Sequence, residues 1–529
     1  RSVAVFVVHK YKAFKTAMQY QKLQYKSKNY NTELTTSGKL YLSKRKSAVH
    51  GEKEKKNMGK AKRDLGVDQN GVQKMMRKRD YLADMSGQFG MNLVANLIGQ
   101  LTYFYTDKVG LAVGGVGVVM LIAKIVDAVT DLWFGNVIDH SKGGNKKYYR
   151  WILRMMIPYS ILAALLFCVP IQAGQVPALI YACVTNILLS AVCGTLMGTP
   201  MSAFMVVRTN SQSERESMGV FRAVGAYGSG MVVAILTIPI TNILGGNQNA
   251  WIKYGFIMAL IVLLMLSICY TNGRKAKLVD EVDEVNTQDE EEAIPLTKSI
   301  PMLFKNKYWI ILVLFNLITQ VTNSISATSG TYYCKWIFGN DNLVALAGSM
   351  GFFATIIGFV LSKPVIAKLG VRKTIDLGVL GAALTALVRC IVPTNFKVYI
   401  AVGLIGSFVQ IPLMCLYGVL LAMVIDYNEY TYHNKLVGVS SGAIGIGTKI
   451  GAGVGSVILT ACLALGSYNP DLEVATTSMR YAIYAFSNYL PLIINLGLFV
   501  LFRFFDLEDK LPAIHEELAR RRSEKQADQ

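Results

Sequence analysis

Along most of this chain apolar residues do not alternate with polar ones; they run. An α-helix crosses a hydrocarbon core about 30 Å thick with about 20 residues, so a window of about 19 detects candidate crossings. Twelve such runs follow residue 84: 85–106, 111–139, 152–172, 177–207, 220–244, 251–272, 308–336, 343–369, 374–392, 396–425, 437–466 and 479–505. Between the sixth and seventh the pattern stops, where KLVDEVDEVNTQDEEEAIPLTKSIPMLFKNK (277–307) turns from acidic to basic within one loop. The reading is an all-α integral membrane protein with twelve transmembrane helices in two six-helix bundles. The bundles are residues 85–272 and 308–507, joined by a cytoplasmic linker at 273–307 and followed by a cytoplasmic tail at 508–529.

The halves echo each other: TYFYTDKVG from Thr102 closes the first run, and TYYCKWIFG from Thr331 closes the seventh. Lysines and arginines gather in alternate loops, among them Lys142, Lys146, Lys147, Arg150, Arg274, Lys275, Lys368, Arg372 and Lys373. The other loops hold little beyond Lys108, Lys397 and Arg480. The positive-inside bias makes the rich side cytoplasmic, with both termini there.

Composition agrees, with 52% hydrophobic and 17% charged residues. The chain's net charge of +20 is concentrated near its start, because residues 1–80 hold 21 Lys and Arg against 6 Asp and Glu, a net of +15. That segment, 1–84, is read as a disordered basic extension near anionic headgroups. It shows no signal-peptide pattern, Met58 is the expected true start, and no nucleic-acid partner is expected. The eight cysteines all lie in apolar runs without a CxxC pair, so no disulfide framework or zinc site is expected.

The second run contains AKIVDAVTDLWFGNVID, residues 123–139. On a helix Lys124, Asp127 and Asp131 fall within about 60° of one another, forming one polar stripe. Each ionised group at mid-bilayer costs about 2.5 to 3.5 kcal/mol on insertion scales, so the stripe needs a partner or a watery cavity. A clasp in which Lys124 neutralises one aspartate leaves the other unpaired. Two carboxylates four residues apart instead supply hard oxygens for a monovalent cation, sodium in a metal-ion reading, or take up a proton. Further stripes are Asn92, Asn96, Gln100 and Tyr103 on the first helix and Asn316, Gln320 and Asn323 on the seventh. Amides and an aromatic ring suit a hydroxylated solute. Lys449, within GAIGIGTKIGAGVG, is expected to reach a carboxylate across the interface between halves.

These residues resemble the glycoside-pentoside-hexuronide:cation symporters of the major facilitator superfamily, the melibiose permease-like family. That architecture is built from two parallel six-helix repeats with the solute held between them near the midplane. The resemblance covers about Asp80 to Asp506 and is strongest over YTDKVGLAVGGVG, AKIVDAVTDLWFGNVIDHS and RWIL. RAVGAYGSG from Arg222, IDYNEY from Ile425 and the segment around Lys449 add to it. It implies that Asp127 and Asp131 are the cation-site carboxylates, with Thr195 adding a hydroxyl. It further implies that Arg222 lies on the solute side, that Lys449 sits close to the cation, and that Asp139 helps latch the cytoplasmic gate. The chain departs from melibiose permease at Gly198, where that protein has an acid, at Ser202, where it has tryptophan, and near Met91 or Asn92, where it has aspartate. An α-galactoside is therefore not the implied substrate.

The expectation is a secondary active transporter, not an enzyme, that imports a glycoside, pentoside or hexuronide by sodium or proton symport through alternating access. Asp127, Asp131 and Thr195 would bind the cation, Lys124 and Lys449 would couple it, and Asn92, Asn96, Gln100, Arg222, Gln320 and Asn323 would bind the sugar. No cofactor beyond the coupling ion is expected, and the protein is read as a monomer in the cell inner membrane. The alternatives are a lysolipid:cation symporter and a sugar-binding sensor that does not transport. An intramembrane aspartyl protease is disfavoured because both aspartates lie on one helix and no GxGD motif is present.

Overall fold

Backbone groups inside a bilayer find no water, so each crossing must satisfy its own hydrogen bonds, and helices do so within one segment. The computed structural model describes residues 65–68, 72–139, 141, 146–209, 211–276, 296–432 and 437–527, and these are helical almost throughout. Most of the basic extension and linker residues 277–295 lie outside the described residues.

The first half consists of α1 (Lys78–Tyr103), α2 (Val113–Asp139), α3 (Lys147–Leu165), α4 (Gln175–Ile187), α5 (Thr195–Arg208), α6 (Gln212–Ile243) and α7 (Gln248–Lys275). A π-helical stretch, Leu188–Gly194, joins α4 to α5 into one crossing. The second half begins with short α8 (Leu296–Lys305) and continues with α9 (Lys307–Trp336), α10 (Leu343–Ile391), α11 (Phe396–Cys415) and α12 (Tyr417–Tyr432). It ends with α13 (Val437–Leu465), α14 (Thr477–Tyr484), α15 (Leu490–Phe502) and α16 (Leu507–Ala527). A second π-helical stretch, Ala485–Tyr489, links α14 to α15.

Among the described residues nine helices are long and apolar enough to cross a membrane. Three further crossings complete the order. The 49 residues of α10 would span about 73 Å as one rod, more than twice a bilayer core. The backbone breaks at Gly370 (φ 78°, ψ 176°), which divides α10 into two crossings. The other two are α1 and α3, which fall short on hydropathy because they carry Gln88, Asn92, Asn96 and Gln100, and Arg150 and Arg154. The twelve runs are thus accommodated. The first helix begins at Lys78, upstream of the apolar run, because Asp80 accepts a hydrogen bond from the Arg77 N–H (2.7 Å) and caps the turn.

The halves pack through α2 along α13, α6 along α10 and α1 against α9. Small residues on α13 allow close approach to α9 within the second half: a Cβ on Gly455 would lie 2.5 Å from the Val321 carbonyl.

The two ends of the bundle differ. At one end the halves are tied together. Asp107, whose side chain is 0% exposed, accepts from Lys335 Nζ (2.6 Å) and from the Tyr468 hydroxyl (2.6 Å). Asp341 accepts from Tyr103 (3.2 Å) and Asn242 (2.9 Å), and the hydroxyls of Thr106 and Tyr332 share a hydrogen bond. The repeated TYFYT and TYYCK segments meet here, with the Tyr103 and Tyr332 rings edge to face at 5.3 Å. At the other end four basic side chains are satisfied inside their own half. Arg222 pairs with Asp84 and Arg208 with Asp80 in the first, and Lys307 and Lys510 pair with Asp506 in the second. The described hydrogen bonds and ion pairs that join the halves include those at the tied end, at Gln100 and at Lys449.

Candidate functional site

The helical pitch of α2 puts Lys124, Asp127 and Asp131 on one face, and that face lines a cavity of about 540 Å³. Small-molecule sites commonly occupy about 300–1,000 Å³. The α1 residues at this cavity, Gln88 to Ile98, lie between the tied end and the helix N-terminus. The rest of the wall comes from Tyr159 on α3, from the π-helical stretch and α5, and from Lys449 on α13.

Lys449 reaches across from the second half and sits between the two carboxylates. Its ammonium lies 2.5 Å from Asp131 Oδ2 and 2.8 Å from Asp127 Oδ1, and it also donates to the Asp127 carbonyl at 2.9 Å. Lys124 stands on the other side of Asp127, 3.8 Å from Oδ2. Asp131 turns its remaining oxygen to Thr195, whose hydroxyl donates to Oδ1 at 2.6 Å. Asp127 is buried, whereas the Asp131 side chain is 46% exposed and faces the cavity. Two carboxylates and a carbonyl therefore converge on a point held by an ammonium, and the Thr195 hydroxyl braces the far oxygen of Asp131. Hard oxygens of this kind suit a small cation. Among the described residues no group of three or more His, Cys, Asp or Glu is arranged to hold a metal ion.

The remaining candidates divide. Asn92 lines the cavity, with its amide donating to the Gln88 carbonyl at 2.9 Å. Asn96 donates to the Asn92 carbonyl (2.7 Å) and is not at the cavity wall. Gln100 instead bridges the halves by donating to the Ala327 carbonyl at 3.0 Å. Gln320 and Asn323 do not line the cavity, and Asn316 ties α9 to α13 through Ile444 and Thr448. Nor is Arg222 brought to the cavity: its guanidinium is held by both oxygens of Asp84 and by the Met201 carbonyl. Asp139 ends α2, but its side chain lies outside the described residues.

Sequence reading missed Gln88, Tyr159, Ser190 and Thr199, all at the wall, where Gly198 and Ser202, named only as departures from melibiose permease, also lie. Gln88 is one turn before Asn92 and extends the same stripe. The hydroxyls had no such signal, since Tyr159 sits in an apolar run. Ser190 lies within a π-helical stretch, whose wider turn changes the phase of the residues after it.

The sequence profile of a family described as MFS/sugar transport protein matches residues 84–509. The inner membrane symporter YicJ of Escherichia coli (strain K12) is 24% identical over 435 residues, covering 80% of this chain and 91% of that protein. The isoprimeverose transporter of Lactiplantibacillus pentosus is 25% identical over 399 residues, 72% of this chain and 78% of that one. Among solved structures, the nucleoside transporter NupG superposes with a TM-score of 0.57 at 12% identity over 81% of this chain and 100% of that one, a likeness of fold.

Proposed function

Because the chain belongs to the MFS/sugar transport protein family, we propose that it imports a sugar in symport with one monovalent cation, sodium or a proton, by alternating access. The chain is a multi-pass membrane transporter and not an enzyme. The observation that carries the reading is the convergence of Asp127 and Asp131 at the cavity around an ammonium from the opposite half, with Thr195 bonded to the remaining oxygen of Asp131. The cation and Lys449 are alternatives at that point. An arriving cation takes the carboxylate oxygens, Lys449 is released, and the contact between α2 and α13 is rewritten. Coupling follows if the rearranged cavity binds sugar more tightly, since cation and solute then share an interaction free energy.

Gln88, Asn92, Ser190, Thr199 and Ser202 offer the hydrogen-bonding groups that sugar hydroxyls need, and Tyr159 offers a ring face. In this reading the basic loops are cytoplasmic, the end tied by Asp107 faces outward, and the described conformation is open to the cytoplasm. The protein works as a monomer in the inner membrane and uses no cofactor other than the transported ion. The relatives' printed names, a symporter and an isoprimeverose transporter, support the class.

Uptake into proteoliposomes of labelled glycosides, pentosides and uronides under imposed sodium or proton gradients tests it. Asp127→Asn and Asp131→Asn should each abolish accumulation while leaving the protein inserted and folded. Normal accumulation by either variant would refute the cation assignment.

A further inference from the structure

We propose that Asp84 and Arg222 are positioning residues of the sugar site: their pair fixes two polar walls of the cavity against each other, and neither touches the solute. The inference rests on the sugar-transport reading above. Asp80, Asp84, Gln88 and Asn92 follow one another every four positions along α1, each the neighbour of the next. The last two line the cavity, whereas the first two are engaged by arginines, Asp84 by Arg222 and Asp80 by Arg208.

The Asp84 side chain is 0% exposed and the Arg222 side chain 13%. Arg222 donates to both oxygens of Asp84, and its Nη2, 2.8 Å from Oδ1, also donates to the Met201 carbonyl of α5 at 2.9 Å. One guanidinium on α6 thus joins α1, a turn before Gln88, to α5, a residue before Ser202, and both of those lie at the cavity wall. The α5 wall needs such a tie. Pro200 has no N–H, so the Leu196 carbonyl lacks its donor within the helix, beside Gly198, Thr199 and Ser202. The three helices are in close contact here: a Cβ on Gly225 of α6 would lie 2.6 Å from the Met85 carbonyl of α1, and one on Gly87 of α1 would lie 2.4 Å from Met201 Cε. Removing one partner leaves a buried charge that draws in water or pulls the backbone toward another partner, and the spacing of the walls changes with it. Replacing both partners by amides removes the charge and keeps donors for the Met201 carbonyl.

The test measures dissociation constants of methyl glucoside, methyl xyloside and methyl glucuronide by isothermal titration calorimetry on the full chain in detergent, at saturating sodium and in sodium-free acidic buffer, beside melting temperatures. For the probe that wild type binds most tightly, Asp84→Asn and Arg222→Gln should each raise Kd about tenfold or more. The double variant Asp84→Asn/Arg222→Gln should return to within about threefold of wild type. A double variant as weak as Arg222→Gln would show that the guanidinium itself holds the solute, and single variants with unchanged Kd and a lowered melting temperature would show a purely structural clasp; either result overturns the inference. If the single variants do not fold, the double variant decides, with Kd near wild type supporting the inference and a tenfold loss overturning it. Uptake under sodium and proton gradients is read on wild type alone. Binding without accumulation overturns symport and leaves the inference standing, whereas binding of none of the three probes overturns the sugar reading and this inference with it.

Discussion

At the scale of single residues, Lys449 makes the most specific demand. If its ammonium stands in for the transported cation, Lys449→Met leaves Asp127 and Asp131 facing each other without it. Breaking a buried pair costs about 3–5 kcal/mol, and roughly half of that is expected where one partner is half-exposed. The variant should melt several degrees lower than wild type in cation-free detergent, and saturating sodium should restore most of the loss if sodium is the coupling ion. A melting temperature unmoved in both buffers would show that the lysine does not compensate the carboxylates. This part of the site was legible because a charge inside an apolar run has few structural excuses, which singled out Asp127, Asp131 and Lys124 by their spacing and Lys449 by its glycine-rich surroundings. Arg222 carries the opposite lesson. Its partner Asp84 is 138 positions away, so the sequence showed a charge without showing that it was already satisfied. Ser190 and Thr199 were illegible because hydroxyls in membrane helices commonly bond to their own backbone, as Ser190 also does here.

At the scale of elements, the break in α10 is a junction built on a single backbone conformation. Gly370 occupies a region open essentially to glycine, and the next two amides donate to the Glu508 carboxylate of α16 at 2.9 and 2.7 Å. A Cβ there would be strained by conformation and would also lie 3.1 Å from the Glu508 oxygen. Gly370→Ala should therefore cost about 1–3 kcal/mol in thermal unfolding. Gly114→Ala, at a helical position with nothing within 4 Å, should be neutral or slightly stabilising. Equal effects of the two would mean that the junction stores no conformational requirement. The break itself was readable, because the basic LGVRK segment interrupts the apolar run where a cytoplasmic loop was expected. The first-turn cap that starts α1 at Lys78 was not, since Asp80 lies in a charged stretch with no apolar periodicity to mark it.

At the scale of the whole molecule, alternating access requires that contacts closing one end compete with contacts closing the other, and the described state has a lopsided distribution of them. The tied end places a fully buried carboxylate of one half on a lysine and a tyrosine of the other. At the opposite end the ion pairs of Arg208, Arg222, Lys307 and Lys510 each lie within one half, so opening there leaves those pairs intact. Charge-assisted hydrogen bonds contribute about 1.5–3 kcal/mol each, enough to move a two-state population roughly ten- to a hundredfold. Asp107→Asn keeps the shape and one acceptor oxygen but removes the attraction to Lys335. It should shift the ensemble toward opening at the tied end, and spin labels placed at Asn242 and Asn342, whose side chains lie 3.2 Å apart in the closed seal, would report a longer and broader distance distribution. If the coupling ion displaces Lys449, the shift should grow with added ion, because the contact between α2 and α13 is then loosened. If the distribution stays at its wild-type distance with and without the ion, the seal depends on aromatic packing around Tyr103 and Tyr332 rather than on charge, and the electrostatic part of the switching mechanism would have to be abandoned while the cavity assignment stands.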